Sequence, residues 1–316
     1  MSIQFEEILK DTAFALSEGS VYERLRRDPS IEFDPFLAYA TLIYEPHSAS
    51  VLEQVHREYL DVGQRYGLPM LALTDTWRAN QERINKSKFK GHMVNQDNAR
   101  FLTKLRDSYS KAVQPILIGG QISPRGDAYL PEHAPPENEA AEFHTPQIEA
   151  LAQTEVDFLF ASTLPALSEA RGIARAMAGT GLPYILSFVI RADGTLLDGN
   201  SMEYAIEMID STAPTPPTGY AINCVHPNVL QDALLILENR NPSLINRLLS
   251  YQANTSPKRP EELDSLSELE SEDPEVLAEL MINVHNRFHI KVMGGCCGTS
   301  TSHIECLAMG YYAKEG

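Results

Sequence analysis

Short apolar runs recur along the whole chain, and longer stretches with helical spacing lie between them. A buried run followed by an amphipathic segment, repeated, is the pattern of strand then helix. The runs predict strands near Ala13–Ser17, Leu68–Thr74, Pro115–Gly120, Val156–Ala161, Tyr184–Val189, Tyr220–Cys224, Arg247–Gln252 and Lys291–Gly295. After the first of these, Val51, Val55, Tyr59 and Val62 recur at steps of four, four and three, which predicts a helix with one apolar face over Ala49–Tyr66. Asn95–Val113 and Ser168–Gly179 carry similar spacing. Eight such strands, with no Pro/Ser/Gly-rich linker dividing them, predict a single α/β domain over residues 1–316, a (β/α)8 TIM-type barrel.

Two polar insertions interrupt the rhythm. Gly126–Phe143, rich in proline and acids, is too long for an ordinary connection and is expected to form a flexible excursion over the barrel face. Ser256–Pro274 carries the acidic run EELDSLSELESED, read as a solvated surface without assigned function.

Composition narrows the function classes. A chain of 316 residues with 43% hydrophobic content can bury a large core. The formal net charge of −17 opposes binding to nucleic acid or anionic lipid, both of which call for clustered Lys and Arg. No stretch reaches the roughly 18 apolar residues of a membrane span. The opening MSIQFEEILKD lacks the basic-then-apolar layout of a signal peptide, so a cytoplasmic protein without membrane partners is expected. Oligomeric state is open, a homo-oligomer included.

Four cysteines are too sparse for a disulfide framework, and bridging the neighbours Cys296 and Cys297 would be strained. Cys224 ends the run YAINC, and Cys296 and Cys297 follow KVMGG, so all three fall at predicted strand ends. In a (β/α)8 barrel, side chains distant in sequence converge at one face formed by strand ends. Three thiolates suit zinc in a tetrahedral shell with its fourth position open to substrate. A thiol in that position becomes a thiolate near neutral pH, a nucleophile for an electrophilic carbon. Gly294, Gly295 and Gly298 would supply the backbone freedom to aim both adjacent side chains at one ion. Taken singly, each cysteine reads as a small buried hydrophobe, and Cys306, in the helix-like HIECLAM, keeps that reading. Redox use of the Cys296 and Cys297 pair, or a zinc- or thiol-binding barrel without turnover, are the alternatives.

GGCCGTS (Gly294–Ser300) followed by His303 and Ile304, with INC (Ile222–Cys224) upstream, resembles the homocysteine S-methyltransferase family. That family includes the betaine- and S-methylmethionine-dependent enzymes and the homocysteine module of methionine synthase. Weaker echoes are SEGS (Ser17–Ser20), VHREYLDVG (Val55–Gly63), TDTWRAN (Thr74–Asn80) and LFASTLPALSEA (Leu159–Ala170), and the resemblance spans nearly the whole chain. It implies a Zn2+ ion held by Cys224, Cys296 and Cys297, a small-molecule thiol acceptor such as homocysteine, and a sulfonium, ammonium or folate methyl donor, as in methionine biosynthesis. It also implies substrate contacts from Glu18, Gly19, Thr74, Ser162 and Arg78, with departures at several of them. Glu18-Gly19 stands where the family has Asp-Gly, and Ser162-Thr163 where it has Glu-Thr, removing one carboxylate partner for an amino group. Trp77 and Arg78 replace an aromatic and a neutral polar residue, and a cation there suits a substrate that carries a carboxylate. Another thiol or a selenol is the alternative acceptor. His56 and His226 are read as structural, since a fourth protein ligand would close the metal site.

Overall fold

The computed structural model describes residues 2–109, 114–258 and 271–315. Its strands are β1 (Ala15–Ser17), β2 (Met70–Leu73), β3 (Ile116–Ile122), β4 (Phe158–Leu164), β5 (Tyr184–Phe188), β6 (Gly219–Val225), β7 (Leu248–Ala253) and β8 (Val292–Gly295). Each pairs in parallel with the next, and β8 returns to β1 with Ala15 opposite Val292 and Leu16 opposite Met293, closing the barrel. The expected (β/α)8 architecture is therefore the observed one. All eight predicted strands are present, with ends shifted by a few residues.

The helices are α1 (Ser2–Asp11), α2 (Val21–Arg26), α3 (Pro46–Tyr66), α4 (Gln81–Lys86), α5 (Val94–Asp107), α6 (Glu137–Ala152), α7 (Leu167–Ala178), α8 (Met202–Thr212), α9 (Pro227–Arg240), α10 (Pro274–Phe288) and α11 (Thr301–Glu315). Parallel strands need such crossovers, and helices on the outer face leave strands buried on both sides. Leu16, Met70, Ile118, Leu186 and Ile222 pack outward against the helices. Leu71, Leu117, Phe158, Ile185 and Val292 fill the interior. Helix α1 supplies Phe5 and Leu9 to that inner cluster, with Phe5 stacked on Phe158 at 4.4 Å between ring centroids. Thr218 and Lys291, which precede β6 and β8, bond to α1, so the helix closes the end of the barrel where the strands begin.

Two expectations are revised, and a third lies largely outside the described residues. The helix expected over 95–113 ends at Asp107, and 110–113 lie outside the described residues. The insertion over 126–143 is a built element instead of a loose excursion: a 3-10 turn at Pro131–His133 leads into α6, which begins at Glu137. Of the acidic insertion, 259–270 lie outside the described residues, while Asp273 caps α10 by accepting from the amides of Glu275 and Val276. Among the described residues, no helix is long and apolar enough to cross a membrane.

Candidate active site

The site grows out of β6. Tyr220 and Ile222 face the helices and Ala221 the interior, so strict alternation would turn Asn223 inward and Cys224 outward. Asn223 does turn inward, donating to the Thr163 hydroxyl (2.8 Å) and accepting from the Thr163 amide (2.9 Å) and the Ser187 hydroxyl (2.6 Å). Cys224 breaks the alternation, because the register shifts between Asn223 and Val225 and its φ is +59°. A left-handed residue that is not glycine costs about 1–3 kcal/mol, held here by the three-strand network beneath it. Thr163 on β4 has φ +62° at a similar irregularity.

Cys296 and Cys297 occupy the turn after β8. The Cys296 amide donates to the Ala253 carbonyl (2.7 Å), the Cys297 carbonyl accepts from the Thr255 amide (3.2 Å), and Thr299 closes the turn on the Cys296 carbonyl. The glycines divide their work differently from the expectation. Only Gly298 has a positive φ (+85°), whereas Gly294 is there for closeness, since a Cβ on it would run into Ser17 of β1.

These two segments bring the sulfurs together: Cys224 to Cys296 at 2.9 Å, Cys224 to Cys297 at 3.4 Å, and Cys296 to Cys297 at 4.0 Å. A disulfide would need about 2.05 Å. Three thiolates about 2.3 Å from a tetrahedral zinc stand roughly 3.8 Å apart, so small adjustments would fit the trio around an ion. Among the described residues, this is the group of His, Cys, Asp and Glu placed to share a metal. Hydrogen bonding with Cys296 and Cys297, and a bond from the Tyr129 hydroxyl (3.1 Å), hold the Cys224 thiol well below its ordinary pKa. Cys296 and Cys297 are raised in turn. Cys306 lies apart on α11, packed against the helix layer.

Glu18, at the end of β1, accepts from the Leu73 amide through Oε1 (3.2 Å). Its buried Oε2 has no hydrogen-bond partner, although His56 Nδ1 stands 3.3 Å away. His56, wholly buried on α3, reaches Asp75 on its other side at 3.0 Å. Burial opposes protonation of His56, but Asp75 and then Glu18 outweigh it and its pKa is pushed up to about 10. With one imidazolium between two carboxylates, burial raises Glu18 above the usual carboxylate range, His56 only partly offsetting it. His226 accepts from the Asn228 amide at the start of α9. Neither histidine joins the sulfur group, in keeping with a structural reading.

The other anticipated contacts are placed unevenly. Thr74 Oγ1 accepts from the Gln121 amide (2.9 Å) and bonds Thr76 (2.7 Å), which ties it to β3. Ser162 donates to the Ile122 carbonyl (3.2 Å) and accepts from the Gln121 side chain (3.0 Å). Gly19 lies so close to Tyr59 that a Cβ would meet the Tyr59 hydroxyl at 2.8 Å. Arg78 is half-buried, donates to the Gly126 carbonyl (2.8 Å) and lies over Trp77 with 4.2 Å from guanidinium carbon to ring centroid. Tyr22 contacts the rings of Trp77, Tyr39 and Phe33, which together form an aromatic wall. Sequence reasoning missed Tyr129, Asn223, Asp75 and Gln121. The polar residues inside TDTWRAN and INC were a usable signal for Asp75 and Asn223, whereas a lone tyrosine in a polar insertion was not.

The fold is thus a parallel barrel that gathers three cysteine sulfurs, a group placed to share a metal, at the ends of β6 and β8. Residues 15–310 match the family profile described as homocysteine S-methyltransferase, and the chain belongs to that family of methyltransferases. A selenocysteine Se-methyltransferase of Brassica oleracea var. italica is 21% identical, over 96% of this chain and 90% of that protein. A homocysteine S-methyltransferase of Bacillus subtilis is 24% identical, over 96% of each. In fold, the chain is similar to the metallated crystal form of a homocysteine methyltransferase from Escherichia coli, with a TM-score of 0.75 at 19% identity over 96% and 98% of the two chains.

Proposed function

We propose that the protein transfers a methyl group from an onium donor to a zinc-bound thiolate, with homocysteine as acceptor and methionine as product. The observation that carries this reading is the convergence of Cys224, Cys296 and Cys297, whose sulfurs lie within 4.8 Å of one another. Zinc bound there would keep an acceptor thiol ionised near neutral pH. Cys224 anchors the trio from β6 and Cys296 and Cys297 from the turn after β8, while Tyr129, between β3 and α6, donates a hydrogen bond to Cys224. Glu18, with Gly19 beside it, is the group for the acceptor's ammonium, as the carboxylate buried at the end of β1. The acceptor sulfur attacks the donor methyl carbon, the carbon–onium bond breaks, and the donor departs with that electron pair. Both substrates are small molecules of the cytoplasm, and the charge of −17 argues against nucleic acid or membrane as partners.

A second reading, methylation of another thiol or a selenol, draws on Ser162, whose hydroxyl is tied to β3 where a carboxylate would bind an ammonium. One experiment tests both. Protein of measured zinc content is incubated with homocysteine, selenocysteine or other thiols and with S-methylmethionine or betaine, and the methylated product is quantified. Methionine formation that stops on chelation and returns with zinc supports the first reading. Zinc-loaded protein that methylates selenocysteine but not homocysteine selects the second, and one that methylates neither overturns both.

A further inference from the structure

Arg78 is a half-buried cation that makes no ion pair among the described residues: one guanidinium N–H donates to the Gly126 carbonyl and the group lies on Trp77. Two charges act on it electrostatically. Arg83 repels it, and Asp127 attracts it from an exposed position where its carboxylate accepts from the Tyr129 amide. An arginine carries five N–H donors in a planar fork, so most remain for a planar acceptor. Its surroundings connect to the sulfur centre through the loop that it binds. Gly126, whose carbonyl accepts from Arg78, begins the segment from which Tyr129 donates to Cys224. Trp77, beneath the guanidinium, packs on Tyr22, and Tyr22 on Tyr39.

We propose that Arg78 is a specificity-determining residue that binds the carboxylate of a substrate at the barrel mouth, selecting amino-acid zwitterions. The guanidinium covers part of Trp77, so a bare onium brought to the aromatic wall meets a like charge. A substrate that carries its own carboxylate replaces that repulsion with a two-oxygen match to the fork. The carboxylate belongs either to the thiol acceptor or to the onium donor. The inference rests on the mouth being the substrate site, and not on turnover.

Trp77 is the single tryptophan of the chain, so indole emission reports directly on the ring beneath Arg78. In zinc-loaded protein, the acceptor arm titrates L-homocysteine against 3-aminopropane-1-thiol, which lacks only the carboxylate. The donor arm titrates S-methyl-L-methionine against its methyl ester. In one arm the carboxylate form should bind on the order of tenfold or more tightly. That preference should collapse in Arg78→Gln and return in part in Arg78→Lys, which keeps the charge but not the fork. Equal binding within both pairs by the unaltered protein overturns the proposal without need of any variant, as does a preference that survives in Arg78→Gln. Carboxylate-selective binding without methyl transfer would instead sink the proposed reaction and leave this assignment standing.

Discussion

Each sulfur of the trio can be removed singly. Cys224→Ala, Cys296→Ala and Cys297→Ala should each lose most of the bound zinc, because two thiolates and solvent hold the ion far less tightly than three. Cys306→Ala, on α11 away from the group, should retain it. Metal analysis of the purified variants decides this, and full retention in the Cys296 and Cys297 variants would remove the site. His56 offers a test by pH. Its pKa of about 10 in the fold compares with roughly 6.5 in an unfolded chain. The folded state holds the proton more tightly, so the stabilisation is complete below about pH 6.5, declines above it, and is gone once pH passes about 10. Denaturant midpoints measured from pH 6 to 10.5 should fall with rising pH. His56→Gln should start lower and lack this part of the slope, and an unchanged slope in the variant would refute the pairing with Asp75 and Glu18.

At the scale of elements, α1 is the least conventional part of the barrel. Phe5 is fully buried against Phe158, so Phe5→Ala should cost about 3–5 kcal/mol, seen as a lower denaturant midpoint with zinc still bound. A loss below about 1 kcal/mol would mean that α1 does not seal the interior. The strands were legible because residues such as Leu16 and Leu71 are buried on opposite faces, and burial on both faces writes a continuous apolar run. Their ends were less so, since β4 continues through the polar Ser162 and Thr163, where hydrogen bonding to neighbouring strands replaces apolar burial. The cysteine trio could be read from strand ends and glycines, but the bulge that turns Cys224 into the mouth has no local sequence marker. Glu18 was visible as a charge at a strand end. Its partners His56 and Asp75 were not, because they arrive from α3 and the end of β2 and meet only when the barrel closes.

For the whole molecule, the apolar interior and the sulfur centre occupy different parts of the barrel, so the proposed metal is not part of the core that holds the fold. Chelation should therefore lower the melting temperature by the linked binding energy while leaving far-UV circular dichroism unchanged at 25 °C. An unaltered melting temperature would mean that the native protein holds no tightly bound metal. The filled interior has a kinetic consequence as well. A barrel packed with side chains beneath its sulfurs gives both reactants the same doorway, and whichever rests against the sulfurs is walled in by the one that follows. With the acceptor resting at the sulfurs, initial-rate plots should intersect, and the methylated acceptor, last to leave, should compete with fresh acceptor while acting as a mixed inhibitor against the donor. Parallel lines would mean that one reactant leaves before the other arrives. In this cul-de-sac, the last molecule in is the first one out.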